Sequence, residues 1–340
     1  MKNAIIIVNY NKEELLEKCL ASVFLMNHDN FDVIVVDNGS EDSSIQIMQE
    51  KFEDVMVVAM GYNSGFCKAN NVGIQKAIDK GSENIILLNN DTEVAPKFLT
   101  ELIDGIDKNK SIEMVAPKVL FYNEKNKIDS TGLQISSDGM AVNRLLNEQS
   151  KMANEKCEVF CPTGAAALFT ARLLNDIKQD GMFFDEDYEY YFEDLDMGWR
   201  ARLRGWRCMY MPEAVVYHHK NATSGGYSEF IAFYTNRNLF YNIIKNYPFV
   251  YFCRAILLSF IRYPYLLVLS FFKKGTVSKF RKNISIKDLA IVTIRGIWDV
   301  GINLRKLLRK RTSIQKGKTV RDISSWFDEY GINFFKSKKK

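Results

Sequence analysis

The sequence predicts an α/β fold, a sheet flanked by helices, followed by a helical C-terminal region of different character. Three observations predict it. Apolar runs alternate with helix-spaced apolar patterns through residues 4–91. Three of those runs end in polar clusters: Asn9/Asn11, Asp37/Asn38/Ser40 and Asn89/Asn90/Asp91. An apolar, aromatic stretch over 249–272 then gives way to a strongly basic tail.

The elements follow in order. Ala4–Val8 is a continuous apolar run and the first strand. Leu15, Leu16, Leu20, Val23 and Phe24 recur at helical spacing over 13–26. Val33–Val36 is the second strand, Ser43–Phe52 the next helix and Val55–Ala59 the third strand. A Gly/Asn-rich loop, Gly61–Gly65, opens a helix around Lys68–Ala77, and Asn84–Leu88 is the fourth strand. This alternation argues for parallel strands with helices on both faces. In such sheets ligands bind beyond the carboxyl ends of the strands. Residues 115–170 read as short strands and loops, with Val115–Leu120 and Val159–Phe169 apolar. An acidic-aromatic stretch precedes a helix within 183–205.

At 340 residues the chain exceeds what one hydrophobic core usually serves. The division expected is 1–248, with halves 1–115 and 116–248, and a C-terminal region 249–340. The net charge of +5 hides an asymmetry: residues 273–340 hold 19 Lys and Arg against 5 Asp and Glu, the remainder 27 against 36. A basic tail on an acidic body suggests an anionic partner. No recognised nucleic-acid motif accompanies it, so an anionic membrane surface is preferred over nucleic acid. Residues 249–272 match the thickness of a bilayer, but Arg254 and Arg262 interrupt them and Pro264 is expected to break the helix. An interfacial pair of helices or a core element fits better than a clean span. The six cysteines form no CxxC pair and read as reduced thiols. The run after Met1 is too short for a signal-peptide core, so the expected location is cytoplasmic, peripheral to the membrane.

Several residues carry chemistry by type and place. Asp37, just past a buried strand, can accept from a nucleotide, or close a turn. Asp91 stands among Asn89, Asn90 and Thr92, oxygen donors of the kind hard divalent cations take, and equally common in turns. Asp194 falls in the first turn of a helix, where the macrodipole favours its ionised form; it serves as a weak proton acceptor or a cap. Asp196 and Arg200, four apart, suit an intrahelical ion pair. His218 and His219 are neighbours on a strand and face opposite sides, so at most one is expected to be a ligand.

Taken in order, the stretches VNYN (8–11), VVDNGSEDSS (35–44), NSGFCKANNVGI (63–74), LLNNDTEV (87–94), PTGAAALFTARLL (162–174), FDEDYEYYFEDLDMGWRARLRGW (184–206), HHKNATSGG (218–226) and YTNRNLFYNIIKNYP (234–248) resemble family 2 glycosyltransferases of the GT-A fold, in particular their rhamnosyltransferase-like branch. The resemblance covers roughly residues 4–248. It implies a Rossmann-like mixed sheet and inverting transfer of a sugar, rhamnose foremost, from a dTDP- or UDP-sugar to a hydroxyl of a glycan acceptor. A polyprenyl-diphosphate-linked acceptor and a role in cell-surface polysaccharide synthesis belong to the same expectation. By the same resemblance, Val8, Asn9, Tyr10 and Asp37 would bind the base, with Asn63, Gly65, Phe66, Asn70, Asn90 and Arg237 completing the nucleotide-sugar site. Asp91 and His218 would hold Mn²⁺ or Mg²⁺, and Asp194 would be the catalytic base beside Glu193. Where the family's metal signature has an acid two positions before its last Asp, this chain has Asn89. A nicotinamide-type Rossmann enzyme is disfavoured, because VNYNKEE rather than GxGxxG follows the first strand. The alternative is a non-catalytic, membrane-attached binding protein on the same scaffold.

Overall fold

A computed structural model of the chain describes residues 1–220, 228–271, 279–281, 283–314 and 320–332. The chain forms two compact units: Met1–Gln134 with Val142–Thr223, and Ile135–Ala141 with Ser224–Lys340.

In the first unit, β1 (Asn3–Asn9), α1 (Glu13–Phe24), β2 (Phe31–Asp37), α2 (Ser44–Lys51), β3 (Val55–Ala59), α3 (Phe66–Asp79) and β4 (Asn84–Asn89) reproduce the alternation read from the sequence. There follow β5 (Thr92–Val94), α4 (Phe98–Asp104), β6 (Ile112–Phe121) and β7 (Ile128–Ser130). The short β8 (Leu133–Ile135) and β9 (Ala141–Asn143) form a separate two-stranded sheet. Then come β10 (Cys157–Val159), β11 (Ala166–Thr170), α5 (Ala171–Asp176), α6 (Glu193–Arg204) and β12 (Arg207–His218). The main sheet runs β10-β12-β6-β11-β4-β1-β2-β3, with β5 on β12 and β7 on β6. It is mixed: β3, β2, β1 and β4 are parallel, while β11 runs antiparallel between β4 and β6.

The continuous apolar run of β1 reflects burial on both faces. Ile5, Ile7, Leu16, Val35, Leu88, Phe98, Val115 and Leu168 belong to one core cluster. On α3, Gly73 meets the sheet so closely that a Cβ there would lie 2.5 Å from Ile6 Cγ2. That helix carries the residues following the Gly61–Gly65 loop, so its seating fixes where the loop stands.

The second unit contains α7 (Glu229–Asn246), α8 (Phe249–Phe271), α9 (Ile286–Ile314) and α10 (Val320–Glu329). Pro264 does not end α8 as the sequence predicts; the helix runs through it. A proline removes its own hydrogen bond to the carbonyl four residues earlier and crowds that carbonyl, a local cost within a helix of 23 residues. Arg262, an apparent interruption of the apolar run, is buried and pairs with Asp138 at 3.3 Å. Among the described residues no helix is long and apolar enough to cross a membrane. Large apolar side chains nonetheless face outward within this unit, including Phe249 and Leu257 on α8 and Ile294, Trp298 and Ile302 on α9.

Candidate active site

The carboxyl ends of β1, β2 and β4 lie side by side, with Asn9 opposite Asp37 and Val8 opposite Asn89. Asn9 is fully buried and ties the three together. Its amide donates to Asp37 Oδ1 at 3.4 Å and to Ser40 Oγ at 3.1 Å, and its oxygen accepts from Asn90 Nδ2 at 2.7 Å. Asp37 Oδ2 accepts from the Ser40 backbone at 3.0 Å. Asp37 therefore does close a turn, yet a carboxylate has about four lone-pair sites and keeps capacity for a ligand. Val8 is half-buried in the strand, while Tyr10 is exposed.

Asn63 Oδ1 is the hub of the next loop. It accepts from Asn38 Nδ2 at 3.0 Å, from the Gly65 backbone at 3.1 Å and from Tyr190 Oη at 3.2 Å. Its side chain shapes the loop. Gly65, at φ 84 and ψ 162, takes a conformation open essentially to glycine alone and starts α3. Phe66 packs edge-on to Phe184, and Asn70 Nδ2 donates to the Phe66 carbonyl.

Asp91 and His218 come together because β5, one residue past Asp91, pairs with the end of β12, Thr92 opposite His218. Asp91 Oδ1 lies 3.3 Å from His218 Nε2, and His218 Nδ1 lies 2.8 Å from Asp129 Oδ2. Lys220 pairs with the other oxygen of Asp129. Burial opposes charge on His218, but the hydrogen bonds to Asp129 and Asp91 outweigh it and push the imidazole up to about 9. Burial likewise raises Asp129, and its bond to His218 together with the charge of Lys220 brings it below the usual carboxylate range. His219 turns away, as neighbours on a strand must: it stacks on Tyr122 and meets Glu93 at 3.0 Å.

The second acidic cluster opens α6. Asp194 Oδ2 accepts from the Gly164 backbone at 2.9 Å, and Oδ1 accepts from the Leu195 backbone at 2.7 Å. Desolvation by burial nevertheless raises its carboxyl above the ordinary value. The sequence predicts the opposite sign from the helix dipole; the loss of water outweighs the first-turn N–H groups. Glu193 beside it is pushed up to about 8 by burial and then by the charge of Asp194, and its Oε2 has no hydrogen-bond partner. Just upstream, Glu189, Tyr191 and Phe192 have φ between 58 and 69, left-handed conformations that cost non-glycine residues free energy. This turn leads directly into Glu193 and Asp194. Asp196 pairs with Arg200 Nε at 2.9 Å, the ion pair its spacing suggests.

Arg237 lies in the second unit, on α7, among Phe233, Tyr234 and Tyr241, and its Nε donates to Asn238 at 2.9 Å. Sequence reasoning missed Asp129, Lys220, Gly164 and Asn71. Asn71 clasps the backbone of Phe184 at 2.7 and 3.0 Å and thereby fastens α3 to the segment before α6. For Lys220, Gly164 and Asn71 a signal existed, since all three sit inside the motif stretches; for Asp129 there was none.

Asp91 and His218 are chemically suited to a divalent cation. Two donors about 2.1 Å from one octahedral ion stand about 3 Å apart, close to the 3.3 Å between Asp91 Oδ1 and His218 Nε2. Among the described residues no group of three His, Cys, Asp or Glu side chains is placed to hold a metal ion.

A mixed sheet flanked by helices, with the polar ends of β1, β2 and β4 along one edge, is a GT-A-like arrangement. Residues 4–178 match the model of glycosyl transferase family 2, and the chain belongs to that family. It is 25% identical over 244 residues to N-acetylglucosaminyl-diphospho-decaprenol L-rhamnosyltransferase of Mycobacterium tuberculosis, covering 65% of this chain and 77% of that one. A dTDP-rhamnosyl transferase of Shigella flexneri is 30% identical over 112 residues, 33% of this chain and 36% of its own length. In structure, residues 1–349 of TarS from S. aureus align over 97% of this chain and 91% of that one, with a TM-score of 0.53 and 17% identity. GalNAc-T7, solved with UDP, GalNAc and Mn²⁺, aligns over 71% and 51%, with a TM-score of 0.53 and 14% identity.

Proposed function

We propose that this glycosyltransferase transfers a sugar, L-rhamnose foremost, from a nucleotide diphosphate to a hydroxyl of a polyprenyl-diphosphate-linked glycan, with inversion, in cell-surface polysaccharide synthesis. The observation that carries the reading is the Asn9–Asn90 bond, which joins Asp37 to the strand end bearing Asp91. A base read at Asp37 and a diphosphate beside Asp91 and His218 would then share one edge. The names of the mycobacterial and Shigella relatives support the sugar, and the former also the lipid-linked acceptor.

In this reading Val8, Asn9, Tyr10 and Asp37 receive the base, with Asn9 acting mainly by holding Asp37. Asn63 and Gly65 hold the loop that, with Phe66, Asn70 and Asn90, bounds the donor; for Arg237, in the second unit, a donor-binding role rests on the family resemblance alone. Asp91 and His218 would hold Mn²⁺ or Mg²⁺, and the chemistry this supplies when bound is neutralisation of charge on the departing diphosphate. Asp194 takes the proton of the attacking hydroxyl, oriented by the Gly164 N–H, and its raised pKa makes it a better base than an exposed aspartate. Glu193, protonated up to about pH 8, keeps a second negative charge out of the cluster. The outward apolar residues of α8 and α9, with exposed Lys287, Arg295, Arg305 and Arg309 on α9, suit the boundary of an anionic bilayer at the cytoplasmic face.

Thermal shift with dTDP, UDP and GDP, each with and without Mn²⁺, tests the donor site. A rise with dTDP or UDP that grows with Mn²⁺ is expected; no rise with any nucleotide would overturn the enzymatic reading in favour of a binding scaffold. Sedimentation with vesicles containing phosphatidylglycerol, weakened by salt, is expected of the full chain; protein left in the supernatant at low salt would remove the membrane assignment.

A further inference from the structure

We propose that Asp129, itself paired with Lys220, is the positioning residue that fixes the tautomer and aim of His218, and so sets the cation affinity of the donor site. The inference rests on the assignment of Asp91 and His218 as cation ligands. It concerns a residue outside every motif stretch, in a three-residue strand.

A carboxylate that is 2% exposed needs a reason to be there. The Asp129 carboxylate has three polar partners, one of them Asn143 Nδ2, which donates to Oδ1 at 3.4 Å. One oxygen meets His218 Nδ1 at 2.8 Å, and the other meets the Lys220 ammonium. The backbone makes this placement rigid. β7 pairs with β6, Val119 opposite Ser130, and β6 pairs with β12, Phe121 opposite His218. Asn143 Nδ2 holds the Asp129 carbonyl at 3.1 Å. The carboxylate, its ammonium and the imidazole are thus fixed from neighbouring strands of one sheet.

The consequence for His218 is chemical. A carboxylate at Nδ1 accepts a hydrogen bond, so Nδ1 carries the hydrogen and Nε2 is left as the ligating nitrogen. Nε2 is the atom that faces Asp91, at 3.3 Å. A neutral imidazole with the opposite tautomer would present an N–H to the place a cation would occupy. A carboxylate behind a metal-binding histidine also raises its basicity, and loss of such a partner typically costs 10–100-fold in affinity. Lys220 keeps the buried Asp129 charge compensated, which allows it to stay anionic behind the ring.

The test is Mn²⁺ titration of the full chain, alone and with UDP, read by the electron paramagnetic resonance of free Mn²⁺. It is paired with ¹⁵N spectra of histidine-labelled protein in Mg²⁺. The chain has three histidines, so single replacements assign them. Asp129→Asn is expected to weaken Mn²⁺ binding about 10–100-fold and to shift His218 away from the Nδ1–H form, with UDP affinity in the absence of metal retained. Should that variant fail to fold, the double variant Asp129→Asn/Lys220→Met removes both charges together and is expected to show the same loss. Mn²⁺ affinity within twofold of wild type, with the His218 tautomer unchanged, would overturn the proposal and leave Asp129 as a mere partner for Lys220. His218→Ala separates the two layers: if it too leaves Mn²⁺ affinity unchanged, the cation assignment itself falls, and the positioning role with it.

Discussion

Two acidic clusters in the first unit have opposite electrostatics. Around His218, the carboxylates of Asp91 and Asp129 face an imidazole and an ammonium, and Asp129 lies below the usual carboxylate range. At the start of α6, Glu193 is buried and Asp194 half-buried beside it; backbone N–H groups support Asp194, but desolvation raises both carboxyls. The difference between the clusters is the partner. Paired acids stay ionised and suit a cation, whereas like-charged neighbours in a dry site compete for a proton. In the proposed reaction the first cluster would take charge on the leaving group and the second a proton from the acceptor.

The largest expected effect breaks the second cluster. Asp194→Asn should lower kcat for sugar transfer about 10³-fold, with donor KM little changed, since the proton is taken in the transition state. The wild-type rate should rise with pH through a value above the ordinary carboxylate range, and the variant should lose that limb. Transfer near the wild-type rate would mean that another group is the base. A smaller effect sharpens the contrast. Glu193 has a folded-state value of about 8 against 4.5 ordinarily, so the folded chain holds a proton that the unfolded chain releases between those values. Its contribution to stability is complete below about pH 4.5 and is lost as pH rises toward 8. Glu193→Gln should therefore melt close to wild type near pH 5 and above it at pH 8, with the gap widening as pH rises between them. Parallel curves across that range would show that Glu193 is ionised throughout.

The sheet and the strand-end acids were legible in the sequence because they obey local rules. Apolar runs with regular helical intervals place Asp37 and Asp91 at carboxyl ends before any coordinates are known. Chemistry made by long-range pairing was not legible. Asp129 meets His218 across 89 positions of sequence, through two strand pairings that no periodicity announces. The titration of Asp194 was misread for a related reason: the helix start is visible in the sequence, but the depth of burial is not. Pro264 shows the limit of a local rule in the other direction, since a helix already long enough tolerates one missing bond.

Asn9 uses both amide hydrogens on Asp37 and Ser40 and its oxygen on Asn90, so its amide is not free to flip. Beside it, Asp37 is a carboxylate, which accepts and does not donate. Uracil and thymine carry a hydrogen on ring nitrogen N3, and cytosine carries a lone pair there. A ring met at Asp37 would thus be sorted by one hydrogen atom, between bases of nearly the same outline. The discrimination would rest on one acceptor held in place by Asn9, rather than on the outline of the ring.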